Sequence, residues 1–283
     1  MDEKPEAYGF PEEWHYFCGR FPSLQGKLTG FFASAQKIVC ESRVIAGPAD
    51  RVVYFLGNAC IEDFNEILQL GFNGYGIGAL KLLRGLYERT ITEAYLANKP
   101  DATERFLDFG DVQFYRAVEN VLHDFPENPP LTEAQIAEVR ASFDRLRSQF
   151  ENKCDRCGHP YPAASWKSHY TLAEKGRPPH VEKGKPWLDH FVFPYYYRPT
   201  LELHATRQSI FSRLAVTPEG LLRFKSEAQR KESEDAMRAA HHLALATLEI
   251  QNRYFNQGAT DEVDSRHADF LEAWAIPGSR EVQ

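Results

Sequence analysis

Leu80, Leu83, Tyr87, Ile91 and Ala94 recur at the three- and four-residue spacing of one helix face, between GFNGYGIG (Gly71 to Gly78) and Lys99-Pro100. An apolar stripe of that period is stable only against another element, so it commits the chain to helix packing. Backbone chemistry sets its limits. Each glycine weakens a helix by roughly 1 kcal/mol relative to alanine, and proline stops the run. The same period predicts helices over Leu24–Ala46 and Ala49–Leu70. Another, N-capped by Asp101, carries Phe106, Phe109, Phe114 and Val118 to about Asp124. Thr132 with Gln135 reads as a capping box opening a helix that ends near Phe150. Two further long helices are expected over Tyr195–Leu214 and Glu227–Asn256. Strand-like alternation is almost absent, so the predicted class is all-α, an antiparallel bundle of about six to eight helices.

The expected organisation is an N-terminal extension (1–22), a single helical domain (23–257) and a polar tail (258–283) with a short docking helix at Phe270–Trp274. Within the domain, residues 151–186 form a Pro-rich insert holding more Lys and Arg than Asp and Glu. The chain as a whole is acidic, with net charge −7, which disfavours bulk-charge binding to DNA or an anionic membrane. Its start lacks the basic and apolar runs of a signal peptide, and no stretch reaches ~18 apolar residues. Five scattered cysteines fit reduced thiols. These readings predict a cytoplasmic protein with no membrane or DNA partner and no cofactor. Cys154-x-x-Cys157-Gly-His159 resembles half of a zinc site, but no second pair follows at close spacing, so no metal is expected.

Two sets of polar residues fall on apolar faces. With Leu80 at zero and ~100° per residue, Arg84 lies at about +40°, inside the stripe, and Glu88 at about +80°, on its edge. Four residues apart, they can pair along the helix. In YYYRPTLELHATRQSIF, Tyr197, Thr200 and Phe211 share a face with His204, and Arg207 sits at its edge. Either set reads as buried structural polarity, because a buried charge needs a partner. Either also reads as a site: arginine's planar fork suits an anion or phosphate, and a histidine near neutrality suits acid–base work. His241 joins the stripe of Met237, Ala244 and Leu248 and reads as a satisfied core histidine. No P-loop, GxSxG or HExxH is present.

LLRGLYERTITEAYLANKP, ERFLDFGDVQFYR, Trp166 and YYYRPTLELHA together resemble the bacterial domain-of-unknown-function family numbered 5677 over roughly residues 50–255. The family pattern has an R-x-x-x-E helix, an R-F-x-D-[FY] helix and a late Y-x-x-[ST]-x-x-x-H element. Here those fall on Arg84 and Glu88, on Arg105-Phe106 with Asp108-Phe109, and on Tyr197, Thr200 and His204. Thr200 stands where serine is commoner. The resemblance brings no activity, but it implies that Arg84, Glu88, Thr200 and His204 form one motif.

A looser likeness is to the helical HEPN superfamily, whose ribonucleases carry an arginine a few residues before a histidine, as Arg198 precedes His204. It implies a metal-independent endoribonuclease of bacterial toxin or phage-defence type, acting as a homodimer. His204 would act on the ribose 2′-hydroxyl, Arg198 or Arg84 would steady the phosphate, and the basic insert would contact RNA. Pro199 departs from that pattern, and on a regular helix Arg198 and His204 point about 120° apart. The alternatives are a non-catalytic module binding an anion, nucleotide or protein partner through the same residues, and a buried network that fixes helix register.

Overall fold

The computed structural model describes residues 9–163, 165–166, 175 and 187–276. They divide into two compact units, one made of residues 9–98, 175 and 187–276 and the other of residues 99–163 with 165–166. The larger unit holds helices α1 (Pro11–Arg20), α2 (Leu24–Ala35), α3 (Pro48–Phe72) and α4 (Gly76–Asn98). Its later half adds two short helices, α7 (Arg198–Leu203) and α8 (Arg207–Phe211), then the long α9 (Arg230–Tyr254) and α10 (Thr260–Ala273). A small hairpin of β3 (Leu214–Val216) and β4 (Leu222–Phe224) stands between α8 and α9. The smaller unit pairs α5 (Thr103–Asp124) with α6 (Glu133–Phe150) and ends in the hairpin of β1 (Glu151–Lys153) and β2 (Pro160–Pro162). The chain is therefore mostly helical, as its periodicity predicts.

Helix α4 is the centre of the larger unit. It packs on both α3 and α9, and its stripe of Leu80, Leu83, Tyr87, Ile91 and Ala94 is buried throughout. Ala79, Leu86, Thr90 and Glu93, on the opposite side, are buried as well. A helix sandwiched in this way must be apolar or internally satisfied all round.

The glycine run makes a tight α3–α4 corner rather than a loose link. Gly74 takes φ +78°, a conformation that side-chain-bearing residues rarely adopt. Tyr75 N–H then donates to the Leu70 carbonyl at 2.9 Å. Gly76 lets α4 start directly against the first turn of α9, since a Cβ there would lie 2.4 Å from both the Gln229 oxygen and the Ser233 nitrogen. Backbone atoms cannot rotate out of the way. Gly76→Ala is expected to cost about 2 kcal/mol, as overpacking does, and to lower Tm by about 5 °C. Thermal melts of the two proteins check it, and an unchanged Tm would mean that the corner yields.

Several boundaries differ from the sequence reading. Asp101 is not an N-cap; Pro100 starts a short 3-10 turn and α5 begins at Thr103. The helix expected over Tyr195–Leu214 is broken into a π-turn (Phe193–Tyr197), α7 and α8. The break comes from Thr206, which forms its own capping box with Ser209 and so starts a new helix. The Thr132–Gln135 capping box forms as predicted. Residues 11–20 of the expected extension fold as α1 and bury Phe17. The tail is helical from Thr260 rather than loose to Phe270; ion pairs of Lys37 with Glu262 and Lys27 with Asp269 hold it on α2 and the following turn. Of the basic insert, β1 and β2 are described, and most of the helical piece expected over Trp166–Lys175 lies outside the described residues.

No helix among the described residues is long and apolar enough to cross a membrane.

Candidate functional site

Arg84 leaves the α4 stripe at its rim, with 23% of its side chain exposed, and Glu88 one turn on has 44% exposed. The pair is thus half-buried rather than sealed. Arg84 Nη2 lies 3.6 Å from Glu88 Oε1 and donates to the Tyr196 hydroxyl at 3.3 Å. Its Nη1 lies 3.4 Å from Nε2 of the exposed His204. The guanidinium also sits 4.9 Å from the centre of the Tyr196 ring. All three polar contacts are longer than the ~2.9 Å optimum. The arginine is surrounded but loosely held.

The π-turn decides which tyrosine enters this cluster. Its wider hydrogen-bond ring shifts the register, so Tyr196, not Tyr197, faces Arg84. Thr200 donates to the Tyr196 carbonyl at 2.6 Å and fixes that turn. Two tyrosines tie the segment down. Tyr87 donates to the Leu188 carbonyl at 2.8 Å, and the Tyr195 hydroxyl meets Nδ1 of His242 at 3.1 Å. Burial raises the Tyr196 phenol above its ordinary value, the nearby Glu88 charge adds to this, and Arg84 opposes it. The hydroxyl is therefore a retained proton donor that lies near the Glu88 charge and accepts from Arg84.

The structure brings Arg84, Glu88 and His204 together, with Thr200 in support. It places the other candidates elsewhere. Arg198 forms an ion pair with Asp235 of α9 at 2.7 Å. Tyr197 is exposed, its ring edge-on to Tyr196. Arg207 lies over the Phe211 ring. A regular 100° step puts Tyr197, not Tyr196, on the face of His204, so helical spacing alone does not point to Tyr196.

The second family element is built into the smaller unit. Arg105 donates to the carbonyls of Trp166 (2.8 Å) and Gln149 (3.0 Å) and covers the Phe150 ring. These bonds close the α5–α6 pair onto its hairpin, so Arg105 has a structural task there. Cys154 and Cys157 stand at the turn of that hairpin, where Cys154 N–H donates to the His159 carbonyl. Backbone N–H groups of Arg156 and Cys157 lower the Cys154 thiol below its ordinary value, with the Cys157 thiol adding to this. Among the described residues, no group of three or more His, Cys, Asp or Glu is placed to hold a metal ion; His169 and His180 lie outside them.

No curated protein and no solved structure matches the chain. A family model described as a family of unknown function, DUF5677, does match, over residues 50–220. That span carries Arg84, Glu88, Tyr196, Thr200 and His204 and ends before α9. It covers well over half of the chain, and the protein belongs to this family.

Proposed function

We propose that the Arg84–Glu88–Tyr196–His204 cluster binds the phosphodiester of RNA and cleaves it without a metal, in the manner of a bacterial toxin or phage-defence endoribonuclease of HEPN-like type in the cytoplasm. The observation that carries this reading is the loosely held guanidinium flanked by an exposed imidazole and a phenol. A phosphate oxygen offers Arg84 shorter, charge-assisted bonds than it has now. In the tautomer with Nε2 unprotonated, His204 takes the proton of the ribose 2′-hydroxyl. The 2′-oxygen then attacks phosphorus and the bond to the 5′-oxygen breaks. The leaving oxygen takes the Tyr196 proton, leaving a 2′,3′-cyclic phosphate. Arg84 offsets the charge on the phosphorane and on the phenolate, and proton exchange with water resets both groups. Glu88 holds Arg84 and Tyr196 in place.

The test is purified protein with mixed RNA in excess chelator. Cyclic-phosphate ends should appear, and His204→Ala should slow cleavage at least about a hundredfold. If both proteins leave the RNA intact, or both cut it equally, this chemistry is lost.

One observation favours a second reading, a non-catalytic module for an anion or nucleotide. Among the described residues, the His204 ring has a single polar contact, at Nε2, and no hydrogen bond orients Nδ1, whereas working histidines are usually held through the second nitrogen. Under that reading short RNA raises Tm without turnover, and Arg84→Ala abolishes the rise. Because the Arg84–Glu88 pair is partly exposed, Arg84→Ala itself should cost about 1 kcal/mol or less. A loss of several kcal/mol would return the cluster to a purely structural role.

A further inference from the structure

The hairpin of the smaller unit carries two cysteines at its tip. Its register pairs Glu151 with Pro162 and Lys153 with Pro160, and a bond from Cys154 N–H to the His159 carbonyl at 2.9 Å leads into the turn. There Gly158 N–H donates to the Cys154 carbonyl at 2.8 Å. Gly158 takes φ +69°, a left-handed conformation that glycine adopts without strain. A bond to the residue four before encloses a single helical turn. Residues three apart in such a turn have Cα atoms about 5 Å apart, inside the ~4.4–6.8 Å that a disulfide spans. Cys154 and Cys157 hold those two positions. Cys157 is exposed and Cys154 half-buried, so reagents in solution can reach the pair.

The two sulfurs are not equivalent. The turn aims backbone N–H groups of Arg156 and Cys157 at the Cys154 sulfur, and oriented amides of this kind favour the thiolate, which is the nucleophilic form. Cys40 and Cys60 are in the opposite situation, since burial raises both thiols. Zinc, another occupant of a Cys-x-x-Cys tip, takes four ligands. Among the described residues no third His, Cys, Asp or Glu is placed to join these two. A disulfide across the four residues Cys154–Cys157 gains little by constraining the unfolded chain, because that gain grows with loop length. Such an exposed bond is reducible, as regulatory and catalytic disulfides are.

We propose that Cys154 and Cys157 form a dithiol site for exchange with small disulfides of the glutathione class. The Cys154 thiolate attacks one sulfur of the small disulfide. That S–S bond breaks, and the departing thiolate takes up a proton equivalent to the one Cys154 released. Cys157 then gives up its proton, attacks the Cys154 sulfur of the mixed disulfide and expels the second thiol. The protein has lost two electrons and two protons, and the small disulfide has become two thiols. Excess reduced thiol runs the sequence backwards. The inference is independent of the chemistry proposed for the Arg84 cluster.

The test uses the full-length chain, fully reduced and freed of reductant, with excess glutathione disulfide. Mass spectrometry of the digested protein should find Cys154 linked to Cys157, and excess reduced glutathione should reverse the link. This result needs no variant to fold. Cys157→Ser should stop at one glutathione on Cys154, since no second thiol resolves it. Cys154→Ser should react at Cys157 at least about tenfold more slowly than Cys157→Ser reacts at Cys154, because the two amide donors serve only the first sulfur. A wild type that keeps both thiols free, or holds a stable glutathione adduct with no internal link, overturns the proposal. Equal rates in the two variants overturn it as well, and so does zinc that copurifies on the pair and blocks the exchange.

Discussion

Glu93→Gln is expected to stabilise the protein by about 3 kcal/mol at pH 7 and to leave it unchanged near pH 4.5. Glu93 lies wholly buried between α3, α4 and α9. Burial raises its carboxyl from 4.5 to about 8, and bonds from Gln251 and Thr247 only partly restrain the rise. Gln251 Nε2 donates to Glu93 at 2.6 Å and to the Val53 carbonyl at 2.8 Å. Gly57 supplies the room, since a Cβ there would meet the Gln251 amide at 2.3 Å. The sign follows from proton counting. The unfolded chain releases the Glu93 proton near pH 4.5, the folded one near pH 8, so between those values the folded state binds more protons. Stability is then full below pH 4.5, falls by ~1.4 kcal/mol per pH unit as pH rises, and levels off above about 8. Glutamine keeps the shape and an oxygen for Gln251 but has no proton to lose. Denaturant melts of both proteins at pH 4.5, 7 and 8.5 decide the matter. An advantage equal at all three values would show that packing, not protonation, separates them.

Glu93 also marks where the sequence stops being legible. A single stripe from Leu80 to Ala94 is enough to place a helix, because the period is a local property. It is not enough to show that α4 is covered on both sides, which depends on α3 and α9 arriving from distant parts of the chain. Glu93 falls opposite the stripe, and it is buried all the same. Arg84 and Glu88 were legible because four-residue spacing fixes their relation. Tyr196 was not, because helical arithmetic fails across a π-turn that no residue of FPYYY announces. The β3–β4 ribbon is not legible for a plainer reason: three-residue strands are too short to display alternation.

On the acid side the protein should lose stability below about pH 6.5 as two neutral histidines are forced to charge. His241 is buried among Phe31, Phe64, Phe270 and Trp274, and its Nδ1 accepts from Trp274 Nε1 at 3.2 Å. Burial lowers it from 6.5 to about 3, with repulsion from His242 and His267 adding to the effect. His242, against Tyr195 and Phe191, is lowered to about 4, again mainly by burial. Both folded values are depressed, so the unfolded chain binds the extra protons, and the stability present above pH 6.5 drains as pH falls toward 4 and 3. Two groups at ~1.4 kcal/mol per pH unit lose about 7 kcal/mol by pH 4. Glu93 returns about 3 kcal/mol of that between pH 6.5 and 4.5, leaving a net loss of about 4 kcal/mol against a typical total of 5–15. Stability should thus peak near pH 6.5, where the falling limb from Glu93 meets the rising one from the histidines. His242→Gln, which keeps an acceptor for Tyr195, should remove about half of the histidine contribution to the acid slope, and an unaltered slope would discount that histidine. Glu93→Gln should steepen the same limb, because it removes the only one of the three buried groups whose titration opposes acid unfolding.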